Sequence, residues 1–207
     1  MLNTKYKNGF TLIELLVALV VTSVVLTAVT TLAFALSSAN DAAGDTSQKQ
    51  AQIRSATLRI QELIRQSKLV CSINDDDIAL WSADNNNDSH INIGELIYID
   101  RGQNRDYIKI CNLTSSDDSV IELDDIGSIS NNWWSAYDTD IDYILVIPEC
   151  NNVRFKFDSS PPFTKFVSIS FDIKENDIDH QYQINAMLRG WAGNLLDDSG
   201  SIIDDDD

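Results

Sequence analysis

Residues 84–95, Asp84-Asn85-Asn86-Asn87-Asp88-Ser89-His90-Ile91-Asn92-Ile93-Gly94-Glu95, space their oxygen donors as a chelating loop needs them. Side-chain oxygens stand at the first, third, fifth, ninth and twelfth positions, on Asp84, Asn86, Asp88, Asn92 and Glu95, and His90 offers a carbonyl at the seventh. Calcium takes about six to eight oxygens, which this set supplies if Glu95 binds through both oxygens and Asn92 binds directly or through water. Calcium is therefore the expected cofactor, set against a plain solvated Asn/Asp turn. Glu14 is a second position with chemistry, because it is the single charge in residues 10–36. A carboxylate in a spanning helix costs up to about 3 kcal/mol, so a counter-charge is expected beside it.

Cys71, Cys111 and Cys150 form no C-x-x-C or Cys/His spacing, which argues against zinc. They leave two readings open: a disulfide between two of them with one thiol over, or three buried thiols. Sequence does not choose a pair. His90 lies in the loop and His180 in a polar connection, and there is no G-x-S-x-G or Gly-rich phosphate loop. An enzyme is not expected. The 84–95 pattern resembles the EF-hand loop D-x-[DN]-x-[DN]-G-x5-E, with apolar Ile91 at position eight and one departure. Ser89 stands where that pattern has glycine for a sharp turn. Asp138, Asp140 and Asp142 form another acidic run, but no distal Glu follows, and solvation is the expectation there.

These groups need elements to position them. The chain of 207 residues has room for one packed head and one extended element. Its formal net charge of -17 argues against nucleic acid or anionic lipid as a partner of the surface and favours cations. Residues 10–36, about 27 in number and so about 40 Å of helix, are long enough to cross a bilayer. Lys5 and Lys7 precede this stretch and only Asp41 and Asp45 follow it closely, so the N-terminus is expected in the cytoplasm and the head outside. A cleavable secretory signal, with Ala33-Phe34-Ala35 at its end, is the competing reading, but its apolar core would be too long.

Gly9-Phe10-Thr11-Leu12-Ile13-Glu14-Leu15-Leu16-Val17-Ala18-Leu19 resembles the class III signal of type IV prepilins and type II secretion pseudopilins. The resemblance implies that a prepilin peptidase cuts between Gly9 and Phe10 and methylates the Phe10 amine. It also implies that the Glu14 carboxylate meets the N-terminal amine of a neighbouring subunit, so that other pilin or pseudopilin subunits and an inner-membrane assembly platform are partners. Physical chemistry agrees with that role: pairing the two charges lowers the cost of keeping each in an apolar layer. The proline that the family often has near the middle of this helix is absent, and Thr30 and Thr31 occupy the region.

Downstream, residues 37–44 are small and polar, and Gly44 is a candidate bend. Ile53, Ala56, Ile60, Leu63, Ser67 and Val70 then recur every three or four residues, as one face of an amphipathic helix does. Period two takes over in Ile78-Ala79-Leu80-Trp81, Leu96-Ile97-Tyr98-Ile99, Tyr107-Ile108-Lys109-Ile110 and Tyr143-Ile144-Leu145-Val146-Ile147. Val153-Arg154-Phe155-Lys156-Phe157, residues 167–173 and residues 182–186 alternate cleanly, as strands wet on one face do. Pro161-Pro162 and the polar run 175–181 are read as connections, and Trp133-Trp134 as a pair to test for partner contact.

The expectation is an α+β chain in which a long N-terminal helix packs on an antiparallel β-sheet head. Its parts are a basic leader at 1–9, a transmembrane helix at 10–36, an amphipathic helical stem at 37–70, a β-rich head at 71–196 and an acidic tail at 197–207. The order of the last strands, with Phe155 and Phe157 before a proline-bearing turn, resembles J-class minor pseudopilins and W-class minor pilins. That implies a minor subunit of a pilus or pseudopilus, anchored in the inner membrane with its head periplasmic or extracellular. The alternative is a calcium-dependent binding or adhesion module on a pilin-type anchor.

Overall fold

The computed structural model describes residues 11–115, 119–137, 139–175, 178–197 and 200–202, and of 41–46 the backbone alone. Two compact units divide the chain, Met1–Gln50 and Ala51–Asp207. Helix α1, Leu12–Gln66, begins in the first and ends in the second. Thr11 and Glu14 start it: the Thr11 N–H and hydroxyl donate to Glu14 Oε2 at 2.9 and 2.8 Å, and the Glu14 N–H returns a bond to Thr11 Oγ1 at 3.4 Å. This is a capping box, which satisfies donors that a helix end otherwise leaves open.

The section Leu12–Asn40, 29 residues, has the length and composition of a membrane span. Its hydroxyls from Thr22 to Thr31 do not stay open. Thr22 and Thr30 donate to carbonyls three and four residues back, Thr27 and Thr31 to carbonyls four back, and Ser23 to Val20 O. Such back-bonding lets Ser and Thr sit in an apolar layer without unmet polar groups. The helix runs through Gly44. A mid-helix glycine costs about 1 kcal/mol against alanine, a small sum beside the cooperativity of so long a run.

In the second unit α1 buries Ile53, Ala56, Ile60 and Ile64. It ends four residues short of the expected stem, because Ser67 closes it with both its N–H and its hydroxyl on Leu63 O, at 3.1 and 2.7 Å. Val70, read as helical from spacing, belongs instead to strand β1, Leu69–Ile73. An antiparallel sheet follows, ordered β1-β2-β3-β4-β5, with β2 Asp77–Trp81, β3 Leu96–Asp100, β4 Ile108–Ser115 and β5 Thr139–Ile147. A separate three-stranded sheet holds β6 Asn151–Phe157, β7 Phe166–Glu175 and β8 Ile178–Met187. Much of the polar run 175–181 is therefore strand: Glu175 pairs with Ile178 and Ile173 with His180.

Two cores explain why the first strands lack clean alternation. Ile78, Leu80, Ile99, Ile108 and Ile110 face a core shared with α1 and with Val167, Ile169, Phe171 and Ile184 of the second sheet. Ala79, Trp81, Leu96, Tyr98, Cys111 and Leu113 face another, on the opposite side. The larger sheet is thus covered on both faces, whereas the smaller one keeps Arg154, Lys156 and Gln183 exposed and alternates. Short 3-10 turns, Leu123–Asp125, Ile129–Asn131 and Trp133–Tyr137, cover the second core. Trp133 and Trp134 pack against that core, half-buried, with Trp134 Nε1 donating to Ile129 O at 3.4 Å. They cap the protein's own interior. Arg101 joins the two sheets: it is buried, donates from Nη1 to Val153 O at 2.8 Å, and lies 5.2 Å from the Phe155 ring centre.

Candidate functional site

The N-terminal site falls partly outside the described residues, which exclude Gly9 and Phe10. Glu14 is described, one turn into α1, with Oε2 held by Thr11. The sequence signal for that contact was Thr11-x-x-Glu14 before an apolar run, a capping-box pattern that the charge-pair reading of Glu14 overshadowed. Thr11 is therefore an addition to the site. It gives Glu14 a structural duty within its own chain beside the intermolecular one that the resemblance implied.

The 84–95 loop leaves β2 and returns through a short 3-10 turn, Ile93–Glu95, into β3. Ser89 adopts φ 62 and Asn87 φ 58, so the sharp left-handed turn that glycine makes in chelating loops is made here by a serine. Ile91 is fully buried, and its carbonyl accepts from the Ile121 N–H at 2.8 Å. Asn86 stands at the centre, with Nδ2 donating to Asp88 Oδ2 at 2.8 Å and to Asn92 Oδ1 at 3.4 Å. An amide N–H thus points where a cation would draw the same oxygens together. Asp84 spends one oxygen on Lys68 Nζ at 3.0 Å and the other on the Asp88 N–H at 3.1 Å. Asp88 Oδ1 accepts from the His90 N–H at 2.8 Å. Burial, the largest single influence, raises it, but the bonds from the His90 N–H, Asn86 and Asn92 together hold the Asp88 carboxyl below the usual range.

Glu95 is placed differently from the rest. It is buried at 4 % exposure and turns to the core, where Oε2 accepts from Trp81 Nε1 at 2.9 Å and Oε1 from the Asn85 N–H. The loop therefore gathers Asp84, Asn86, Asp88 and Asn92 by hydrogen bonds and ties Glu95 to Trp81. Among the described residues, no three His, Cys, Asp or Glu side chains converge as a metal site. For calcium to be held by these residues, the Asn86 amide has to turn over and Glu95 has to share its oxygens with Trp81.

The disulfide left open in the sequence is not made: Cys71, Cys111 and Cys150 are free and buried. Cys71 on β1 and Cys111 on β4 are three strand spacings apart, about 14 Å, twice the reach of a disulfide. Cys150 packs in the other core. Burial pushes the thiols up, to about 12 for Cys71 and Cys150 and about 11 for Cys111, so none is a ready thiolate.

With this geometry in place, comparison adds one fact: the model of the family described as "Prokaryotic N-terminal methylation motif" matches residues 4–30. The chain carries a type IV pilin-like prepilin signal. The match spans the proposed cleavage point, the capping box and about two thirds of the apolar run, and together with the apolar helix it supports a pilin-like, membrane-anchored subunit. A motif of this kind implies processing by prepilin peptidase and assembly with other pilin subunits. No curated protein and no solved structure matches the chain.

Proposed function

We propose that this chain is a minor subunit of a type IV pilus or a type II secretion pseudopilus. Its helix, cut free of the leader after Gly9, packs into the filament with the Glu14 carboxylate against the methylated Phe10 amine of a neighbour. The observation that carries the reading is the methylation motif at residues 4–30 running directly into the apolar section Leu12–Asn40. The leader lies in the cytoplasm, the helix in the inner membrane until an assembly platform extracts it, and the head in the periplasm or outside the cell. A head of two sheets and two cores supports a tip or initiation role over a repeated shaft. Mass spectrometry of protein extracted from membranes should find a chain beginning at Phe10 with a methylated amine. A start after Ala35, or an intact Met1, would overturn the reading.

A second reading, calcium held by the 84–95 loop, is favoured by the left-handed Ser89 and by the gathering of Asp84, Asn86, Asp88 and Asn92. Under it the head is a calcium-dependent binding or adhesion module. A ligand of the folded state alone stabilises by about 2.7 kcal/mol at a hundredfold excess over Kd. Thermal unfolding of the full chain in detergent should give a midpoint several degrees higher in millimolar calcium than in chelator. Magnesium should do little, since it prefers a compact octahedron and keeps its waters. Equal midpoints in calcium, magnesium and chelator would retire calcium.

A further inference from the structure

We propose that the outer edge of β5 is a docking site for an extended segment of a partner protein in which basic and apolar side chains alternate, added as a sixth strand of the larger sheet. β5 pairs with β4 from Thr139 to Ile147 and is the last strand of its sheet. Among the described residues, none of its other backbone groups bonds to a further element. Such an edge is a template for another chain unless it is blunted by charged side chains, proline, a bulge or a covering loop, and the charges on β5, Asp140 and Asp142, repel an acidic strand but not a basic one. The exposed part of β5 has no lysine or proline, and its register shift lies near the Ile147 end. Instead it presents three successive apolar side chains, Tyr143, Ile144 and Leu145, at 67, 40 and 47 % exposure.

The edges of the smaller sheet lack this combination. The outer side of β6 is closed at Val153, whose N–H donates to Arg105 O at 3.4 Å and whose carbonyl accepts from Arg101 at 2.8 Å. β8 shows polar His180, Gln181 and Gln183.

Beside β5, on the face of Tyr143, lies a cavity of about 600 Å³ walled by Tyr107, Lys109, Tyr143, Asp76, Asp100 and Asp106. Strand addition takes affinity from main-chain hydrogen bonds and specificity from pockets for alternate side chains, and this cavity is placed to receive one. Its lysine is already engaged: Lys109 Nζ is 2.9 Å from Asp100 Oδ2 and 5.4 and 5.7 Å from the Tyr107 and Tyr143 ring centres. Asp106 remains exposed at the rim of this cavity, whereas Asp140 and Asp142 are exposed on the other face of the strand, because Tyr143 pairs with Cys111 and Asp142 with Asn112. Aromatic walls with surplus carboxylate select a cationic side chain. The net charge of -17 works against a second copy of the chain as the occupant. No residue of this surface belongs to the N-terminal unit, so the inference goes beyond the filament reading and does not depend on it.

The test is binding of capped synthetic peptides to the full chain in detergent micelles. The probes are an alternating Lys-Val octapeptide, its Glu-Val counterpart, and a Lys-Val octapeptide with N-methylated valines. The Lys-Val peptide should bind saturably and weaken with added salt, because exposed charges are screened. The Glu-Val peptide should not bind, and N-methylation, which removes main-chain donors, should weaken binding at least about tenfold. Tyr143→Lys with Leu145→Lys should weaken the Lys-Val peptide by a similar factor while leaving circular dichroism unchanged. Asp106→Asn should lessen the salt dependence. No saturable Lys-Val binding at millimolar peptide, equal binding of the Glu-Val or N-methylated probe, or indifference to the lysine pair would each overturn the proposal. Salt-sensitive dimerisation of the chain, abolished by the lysine pair, would assign the edge to a second copy and overturn it as well.

Discussion

Glu14→Gln is expected to insert in the membrane, to be cut and methylated, and yet to stay out of the filament. The substitution separates the observed helix cap from the proposed intersubunit charge pair. Glutamine still accepts from the Thr11 N–H, as glutamine does in a capping box, so the helix start survives. The negative charge does not survive. Removing one partner of a buried ion pair costs about 3–5 kcal/mol, because the other is left charged in a medium that does not solvate it. In association constants that is a loss of about a hundredfold or more at each contact the Phe10 amine makes. Thr11→Ala is the complementary variant: it removes the hydroxyl that bonds Glu14 and should cost about 0.5–2 kcal/mol of helix start while leaving the charge pair possible. The measurement is the share of each variant in sheared filaments against that in membranes, with the N-terminus verified by mass spectrometry. Exclusion of Glu14→Gln with retention of Thr11→Ala assigns Glu14 to the intersubunit pair. The reverse pattern would make Glu14 a cap and nothing more.

What could be read from the residues was local. The prepilin-type signal is a run of neighbouring residue types, β2 to β5 declare themselves by short apolar runs between turn clusters, and β6, β7 and the second half of β8 by period two, so these were legible. β1 was not, because Leu63, Ser67 and Val70 continue the helical spacing across the helix end and no Gly or Pro punctuates it. The division into two sheets was hidden for another reason. It depends on contacts such as Arg101 to Val153, which join residues 52 apart, and on the 3-10 layer that covers the second face. The 84–95 loop was legible as a turn with the right oxygens, and Ser89 as the residue forced into glycine's conformation. Where Glu95 points was not, since Trp81 decides it from the end of another strand.

That direction reverses a sign. From sequence alone, Asp84, Asp88 and Glu95 are three carboxylates that repel one another, so neutralising Glu95 ought to stabilise the metal-free head. The structure predicts the opposite: Glu95→Gln should destabilise it by about 2–4 kcal/mol, because hydrogen bonds to a buried charged group contribute about 1.5–3 kcal/mol each and orphaned donors cost about as much. Glu95 accepts from Trp81 Nε1 and, at 3.5 Å, from the Asn92 N–H on Oε2, and from the Asn85 N–H on Oε1. Glutamine has one acceptor oxygen and one amide nitrogen, so whichever way it turns, an N–H meets an N–H. At about 2–4 °C per kcal/mol for a chain of this size, the midpoint in chelator should fall by roughly 5–15 °C. Asp88→Asn is the control, since the Asp88 carboxylate is half-buried and bonds only within its own loop; its change in chelator should stay within about 1 kcal/mol. In calcium both variants should lose the metal-dependent gain if the loop binds the ion, so the gap between them in chelator should persist. A Glu95→Gln head as stable as wild type in chelator would show that the carboxylate is not a latch on Trp81, and the ordering of the two variants separates a latch from a chelating ligand.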